Sequence, residues 1–252
     1  MAYEALAGAY DRLTNDVPYE DILAFYKAIL MDRALSPKTA VDLACGTGSM
    51  AVLLAREGLS VLGVDRSEEM LTQAVEKTAE MDAPPYFVCQ RMERLLLPTP
   101  VDLVVCCLDG VNYVTEPAAL REAFARVYRA LNPGGLFIFD VNSEAKLRGL
   151  DGQMFLDEDD EVFCLWRASF DGQTRICTYG MDIFQKQGKL WQRDREEHLE
   201  YAYRTDELRQ WLSEAGFAQI GVYADRRLEP PAPEEQRVFF AAQKDKTDRK
   251  EN

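Results

Sequence analysis

The sequence predicts an α/β fold: a doubly wound, mostly parallel sheet of seven strands, interrupted by an antiparallel β insertion. Three observations predict it. Short, continuously apolar runs (SVLGV at 60–64, VDLVVCCL at 101–108, LFIFDV at 136–141) alternate with segments of helical spacing, the pattern of a parallel sheet covered on both faces. The run Val41-Asp42-Leu43-Ala44 passes through a glycine pair, Gly46 and Gly48, into the helical periodicity of Ser49 to Glu57. From about Phe155 to Tyr203 that periodicity is lost, and strand-like runs are separated by Asp171-Gly172 and by Gly188, which are hairpin signals.

In chain order, residues 1–35 predict helices, with Pro18 dividing a short one from a longer one. Ile22, Leu23, Phe25, Tyr26, Ile29 and Leu30 supply the apolar face of the second. After the first strand and its helix, Gly58 is placed as a C-terminal stop. A second strand runs to Asp65, and Ser67 caps the next helix with Glu68 and Glu69 in its first turn, where the dipole favours acids. Pro84-Pro85 ends that helix, and Tyr86 to Cys89 makes a third strand. The fourth strand, 101–108, is followed by a helix opened at Thr115 and Pro117, then a tight turn at Asn132-Pro133-Gly134-Gly135 and a fifth strand. The insertion reads as a three-stranded meander. Thr205 is expected to cap a helix stopped by Gly216, and the last strands, 217–224 and 237–242, should pair antiparallel across a short proline-rich loop. Residues 1–150 and 205–243 thus form the expected core, 151–204 a lid and acceptor platform, and 244–252 a disordered tail.

A chain of 252 residues can bury a large core, and its formal charge of −14 argues against a partner held through nucleic-acid phosphates. Six cysteines show no CxxC pair and no metal-ligand spacing, so reduced thiols, no metal and a cytoplasmic location are expected. The first residues lack a signal-peptide pattern, and no run approaches the roughly 18 apolar residues of a membrane span. A monomer or a homodimer is expected.

The glycine turn carries the functional reading. Glycines let a ligand lie against the backbone, and the following helix directs its free N–H groups to the same place. A dinucleotide fingerprint would need a third glycine, which Ala44-Cys45-Gly46-Thr47-Gly48-Ser49-Met50-Ala51 lacks. Two acids flank the loop instead. Asp65, ending the second strand, is placed to accept hydrogen bonds from ribose hydroxyls. Asp42 could hold loop amides or help receive a ligand ammonium group through water. Phosphate suits neither acid; a ligand with an amino group and a sulfonium suits both.

VDLACGTGSMAVLLA, GVDRSEEML, LDGVNYV and LNPGGLFIFDVNS, in that order, resemble class I S-adenosylmethionine-dependent methyltransferases with their Rossmann-like fold. YDRLTNDVPYEDI and the β insertion narrow the likeness to small-molecule members of the glycine and amino-sugar N-methyltransferase type. The resemblance implies S-adenosylmethionine as cofactor, S-adenosylhomocysteine as product, and a small molecule as methyl acceptor. It implies that Ala44, Cys45, Gly46, Thr47 and Gly48 face the methionine part, and that Asp65 holds the ribose. Arg66 and Met70 would lie near the adenine and Met92 would flank its ring, while Leu108, Asp109, Asn112 and Tyr113 would border cofactor and acceptor. Tyr10 matches a tyrosine that closes over the reaction centre in several relatives. Two positions depart from the pattern: Ala44 stands where glycine is usual, and Arg91 where an acid normally bonds the adenine amino group. Glu93 could substitute for that acid.

Methyl transfer from a sulfonium needs alignment and exclusion of water more than an obligatory catalytic side chain. A base is required only if the acceptor arrives protonated. Two candidates are named. His198, the sole histidine, is either a strand-pairing residue or a base reaching down from the lid. Tyr10 is either helix packing or part of the reaction centre. Two rival readings stand beside this one: methylation of a protein or RNA, and a cofactor-binding protein without turnover.

Overall fold

A computed structural model describes residues 6–247 of the chain. Helices α1 (Tyr10–Leu13) and α2 (Tyr19–Asp32) are divided at Pro18, where a proline cannot continue the first helix but can open the second. Five strands and three helices follow: β1 (Thr39–Leu43), α3 (Ser49–Arg56), β2 (Ser60–Asp65), α4 (Glu68–Thr78), β3 (Tyr86–Cys89), β4 (Val101–Cys106), α5 (Pro117–Ala130) and β5 (Leu131–Asn142). The Ser67 side chain caps α4 by accepting from the Met70 amide, and Gly58 takes a positive φ of 88° just beyond α3, as the sequence requires. A short helix, α6 (Glu144–Gly149), leads into β6 (Met154–Glu158), β7 (Val162–Asp171), β8 (Ile176–Gln187) and β9 (Leu190–Tyr201). Then come α7 (Thr205–Ala215), β10 (Gln219–Tyr223) and β11 (Arg237–Gln243).

The large sheet has the order β10-β11-β5-β4-β1-β2-β3. Its strands are parallel except β11, which runs antiparallel to both β5 and β10. Successive strand residues bury opposite faces. Val104, Phe137, Phe139 and Phe240 pack under α5 and α7, whereas Leu103, Val105, Ile138 and Phe239 pack under α2 and α3. Each fully buried side chain of this size contributes about 1.5–3 kcal/mol, so the double-sided apolar runs are themselves the reason the sheet is covered twice. The winding direction reverses between β1 and β4, which opens a crevice beyond the carboxyl ends of those strands.

The second sheet is antiparallel, in the order β6-β7-β8-β9. It has four strands where the sequence suggested three. The extra one, β6, runs three apolar residues (Met154, Phe155, Leu156) into two acids (Asp157, Glu158) and exposes most of them, so it lacks the apolar alternation of a half-buried strand. Asp159 and Glu161 sit in the following turn and receive the Arg12 guanidinium at 2.7 and 2.6 Å. Three further details differ from expectation. Asn132 to Gly135 lie within β5, and the β4–β5 register shifts between Val101 and Leu103 to accommodate them. The residue preceding α7 is Arg204, whose amide is held by Glu207, so Thr205 is the first helical residue rather than the cap. Lys244, at the start of the expected tail, is buried and donates to the carbonyls of Tyr128 and Leu131, both at 3.1 Å; residues 248–252 lie outside the described residues. Among the described residues no helix is long and apolar enough to cross a membrane, and no cluster of His, Cys, Asp or Glu could hold a metal. All six cysteines are free, and four of them (Cys106, Cys107, Cys164 and Cys177) are buried.

Candidate functional site

A cavity opens at the carboxyl ends of β1, β2 and β4, at the reversal point of the sheet. The glycine loop forms one wall, and it is left-handed at three places: Ala44 (φ 58°), Gly46 (φ 53°) and Gly48 (φ 76°). Ala44, the residue standing in for the usual glycine, therefore carries the backbone conformation that favours glycine, at a cost of roughly 1–2 kcal/mol. The loop is wedged from outside by Phe87. A Cβ added at Gly63 would lie 2.5 Å from the Phe87 ring, and one at Gly48 would lie 3.0 Å from it. On the cavity side Gly110 makes room for the loop: its added Cβ would come within 2.9 Å of the Ala44 methyl.

The two acids have different environments. Asp65 accepts the amides of Gly46 and Ser67, each at 2.9 Å, so it and not Asp42 holds a loop amide. Asp42 is 1% exposed. Neither of its oxygens has a hydrogen-bond partner among the described residues. Burial pushes its carboxyl up to about 8; the Ala51 amide, near it but outside hydrogen-bond geometry, opposes the rise, and the nearby Asp65 charge assists it. An unpartnered buried carboxylate is costly, and a cation is its natural complement. Asp42 and Asp65, both on the cavity wall, thus suit an ammonium group and a ribose. Two neighbouring acids make this end of the cavity a poor seat for a phosphate.

At the opposite wall Met92 and Glu93 follow β3, and Glu93 is engaged by Arg91. Burial alone would raise the Glu93 pKa, but this partner and the backbone outweigh it and hold the acid lowered. Glu93, half-buried and ionised, is the acid available to an exocyclic amine at this wall. Arg66 and Met70 line the floor.

The loop after β4 is shaped by a buried ion pair that sequence reasoning missed. Leu108 (φ 57°) and Asp109 (φ 54°) are both left-handed. Their amides donate to the two oxygens of Asp140 at 2.8 and 3.0 Å. Asp140 is engaged by Arg237 of β11, which also bonds Asp109 at 2.9 Å. The available signal was a lone acid within the apolar run FIFDV and a lone base opening the run RVFFAA.

Most of the expected residues converge on the cavity: Tyr10, Asp42, Ala44, Cys45, Gly46, Asp65, Arg66, Met70, Met92, Glu93, Leu108 and Tyr113 all line it. Thr47, Gly48, Asp109, Asn112 and His198 do not. Thr47 is turned to the scaffold, donating to Asp11 at 2.5 Å and accepting from Lys77 at 3.0 Å. Gly48 abuts Phe87, and Asp109 is spent on Arg237. The Asn112 amide clamps β5 to the end of β9, donating to the carbonyls of Asn142 and Tyr201, both at 3.0 Å. His198 of β9 is buried behind Tyr113, with Nδ1 3.3 Å from the tyrosine hydroxyl. Tyr19, at the start of α2, is an added wall residue, and its hydroxyl hydrogen-bonds that of Tyr10. Burial, with nearby Asp109, pushes the Tyr10 pKa up, so its phenol stays protonated and can donate.

Residues 40–135 match the family described as a methyltransferase domain. A protein of Geobacillus sp. strain WCH70, provisionally named a methyltransferase, is 34% identical over 97% of this chain and 100% of its own length. The crystal structure of an S-adenosylmethionine-dependent methyltransferase from Clostridium acetobutylicum superposes with a TM-score of 0.86, at 29% identity, over 97% of this chain and 100% of that one. The sugar N-methyltransferase KedS8 from a Streptoalloteichus species shares the fold, with a TM-score of 0.77 at 19% identity over 92% of this chain and 90% of its own.

Proposed function

Because this chain belongs to the class I S-adenosylmethionine-dependent methyltransferases, we propose that its cavity binds that cofactor and directs its methyl group to a small-molecule amine or hydroxyl. The observation that carries the reading is Asp42: a buried carboxylate on the cavity wall whose two oxygens have no hydrogen-bond partner among the described residues. The cofactor supplies an electrophilic methyl group on a sulfonium and a cationic amino group that complements such an acid.

The chain's own residues divide the work. Asp42 and the Ala44–Gly46 backbone receive the amino-acid end. Asp65, already rigid through its bonds to Gly46 and Ser67, accepts from the ribose. Met92 and Met70 sandwich the adenine, and Glu93 accepts from its amino group. Tyr10, Tyr19 and Tyr113 bring three phenols to the remaining wall, where they orient an acceptor and exclude water, effects that can supply several kcal/mol through alignment alone.

A small acceptor is supported by the roof. The segment before α1 packs Leu6 against Cys164, Met181 and Ile183 of the second sheet. Asp11 ties α1 to Lys77 of α4 at 2.5 Å, and Arg12 ties it to the β6–β7 turn. A macromolecular substrate would have to displace these contacts, and the acidic surface further disfavours RNA. KedS8, which shares the fold, is a sugar N-methyltransferase, and its acceptor is of this class.

The test is a turnover screen with methyl-labelled S-adenosylmethionine across small amines, amino sugars, a protein extract and tRNA. Label in a small-molecule product supports the proposal. Label only in protein or tRNA assigns the macromolecular alternative, and cofactor binding without label in any fraction assigns a non-catalytic role.

A further inference from the structure

We propose that Tyr113 takes the acceptor's proton, with His198 and Glu196 standing behind it as a relay that leads away from the cavity. This rests on the methyltransferase reading above. Tyr113 lines the cavity. Its hydroxyl lies 3.3 Å from His198 Nδ1, and the two rings meet edge to face with centroids 5.8 Å apart. The other imidazole nitrogen, Nε2, lies 2.8 Å from Glu196 Oε2. The second Glu196 oxygen accepts the Leu6 amide at 3.0 Å, which fixes the carboxylate. A carboxylate only accepts, so the hydrogen of the neutral ring sits on Nε2 and Nδ1 is left to accept from the Tyr113 O–H. Apo catalytic contacts are often long and tighten in the complex.

The strand accounts for the placement. Glu196, His198 and Glu200 alternate along β9 and therefore share one face. That face is turned inward: the His198 and Glu196 side chains are 1% and 3% exposed. Apolar side chains would pack such a face at less desolvation cost than a histidine–carboxylate pair. Among the described residues, the Tyr113 phenol joins the pair to the cavity. Both features are what a proton path requires, and sheet packing requires neither.

The chemistry balances. As the acceptor nitrogen or oxygen forms its bond to the methyl carbon, the carbon–sulfur bond breaks with its electron pair going to sulfur, and the acceptor's N–H or O–H bond breaks with its pair staying on the acceptor. That proton passes to the Tyr113 oxygen while the tyrosine's own proton passes to His198 Nδ1. The ring becomes an imidazolium paired with Glu196, and the positive charge that the sulfonium loses leaves as this proton. Tyr113 is the catalytic residue in this scheme; His198 and Glu196 are positioning residues acting through it.

His198 is the sole histidine of the chain, so its state can be read without assignment. The first arm uses nitrogen NMR of histidine-labelled protein saturated with S-adenosylhomocysteine, in buffer alkaline enough to keep the ring neutral. The expected result is a hydrogen on Nε2 and a hydrogen-bonded, unprotonated Nδ1 whose resonance moves in Tyr113→Phe. A hydrogen on Nδ1 overturns the relay. The second arm measures kcat with the amine or sugar returned by the acceptor screen. Tyr113→Phe and His198→Gln should each lower kcat about 100-fold, and the double variant should be no slower than the slower single. Glu196→Gln should lower kcat by a smaller factor, while calorimetric affinity for S-adenosylhomocysteine stays near wild type in all of them. Unchanged kcat, or losses that multiply in the double variant, overturn the proposal. If the wild-type protein fails to bind S-adenosylhomocysteine, the methyltransferase reading itself has failed; if it binds and the variants turn over normally, the relay alone has.

Discussion

Arg237 Nη2 lies 2.9 Å from Asp109 Oδ1, closing an ion pair between the last strand and the loop that borders the cavity. The same guanidinium engages Asp140, whose oxygens hold the left-handed Leu108–Asp109 backbone. One arginine thus neutralises two acids and fixes the loop that presents Tyr113. Arg237→Ala would leave the buried Asp140 carboxylate unpaired, which costs about 3–5 kcal/mol. Thermal unfolding of the ligand-free variant should show Tm lowered by about 10 °C. A Tm equal to wild type would show that the acids are satisfied without the arginine.

Asp42 gives the site a pH dependence with a defined sign. Its folded pKa is raised to about 8 by burial, above its value in an unfolded chain. Its stability contribution is therefore fully present below about pH 4 and is lost as pH rises through about 8. Ligand-free wild-type protein should lose Tm relative to Asp42→Asn as pH is raised across that window. Glu200, also raised by burial and by nearby Asp109, acts in both proteins and cancels in the comparison. S-adenosylhomocysteine should bind wild type more tightly as pH approaches 8, because its ammonium group needs the ionised carboxylate. The slope should be absent in Asp42→Asn; parallel Tm and affinity curves for the two proteins would contradict this.

Ala44 holds a φ of 58°. Removing its Cβ relieves strain but adds unfolded-state freedom, and these terms are of similar size, about 1 kcal/mol each. Ala44→Gly should accordingly be neutral to slightly stabilising, with S-adenosylhomocysteine affinity retained. A β-branched residue cannot adopt this backbone without strain, so Ala44→Val should cost about 1–3 kcal/mol and weaken binding. Denaturant unfolding checks the first quantity and calorimetry the second.

The fold was legible wherever residues next to one another in sequence share one environment. Apolar runs marked the parallel strands, and Ser67, Gly58 and Gly216 marked the helix ends. The order of the motifs located the crevice. The rest was decided by contacts across long sequence separations. Asp140 and Arg237 are 97 residues apart, and nothing local tells which charge in an apolar strand will meet which. Asp109 and Asn112 belong to the loop after β4, yet their side chains turn to Arg237, Asn142 and Tyr201, a direction set by two positive φ angles that an ordinary leucine and aspartate do not announce. The Glu196–His198 pair was hidden for a related reason: β9 is rich in charge on both faces, so its pattern does not say which face is buried.

The crevice between the glycine loop and Asp42, Asp65 and Glu93 is the proposed cofactor site. Calorimetric titration of S-adenosylhomocysteine into wild type, Asp42→Asn and Asp65→Ala tests it most directly. One site per chain is expected for wild type, with affinity reduced at least ~10-fold in each variant, as loss of a charge-assisted hydrogen bond worth about 1.5–3 kcal/mol requires. No heat of binding in wild type, or equal affinity in all three proteins, would contradict it.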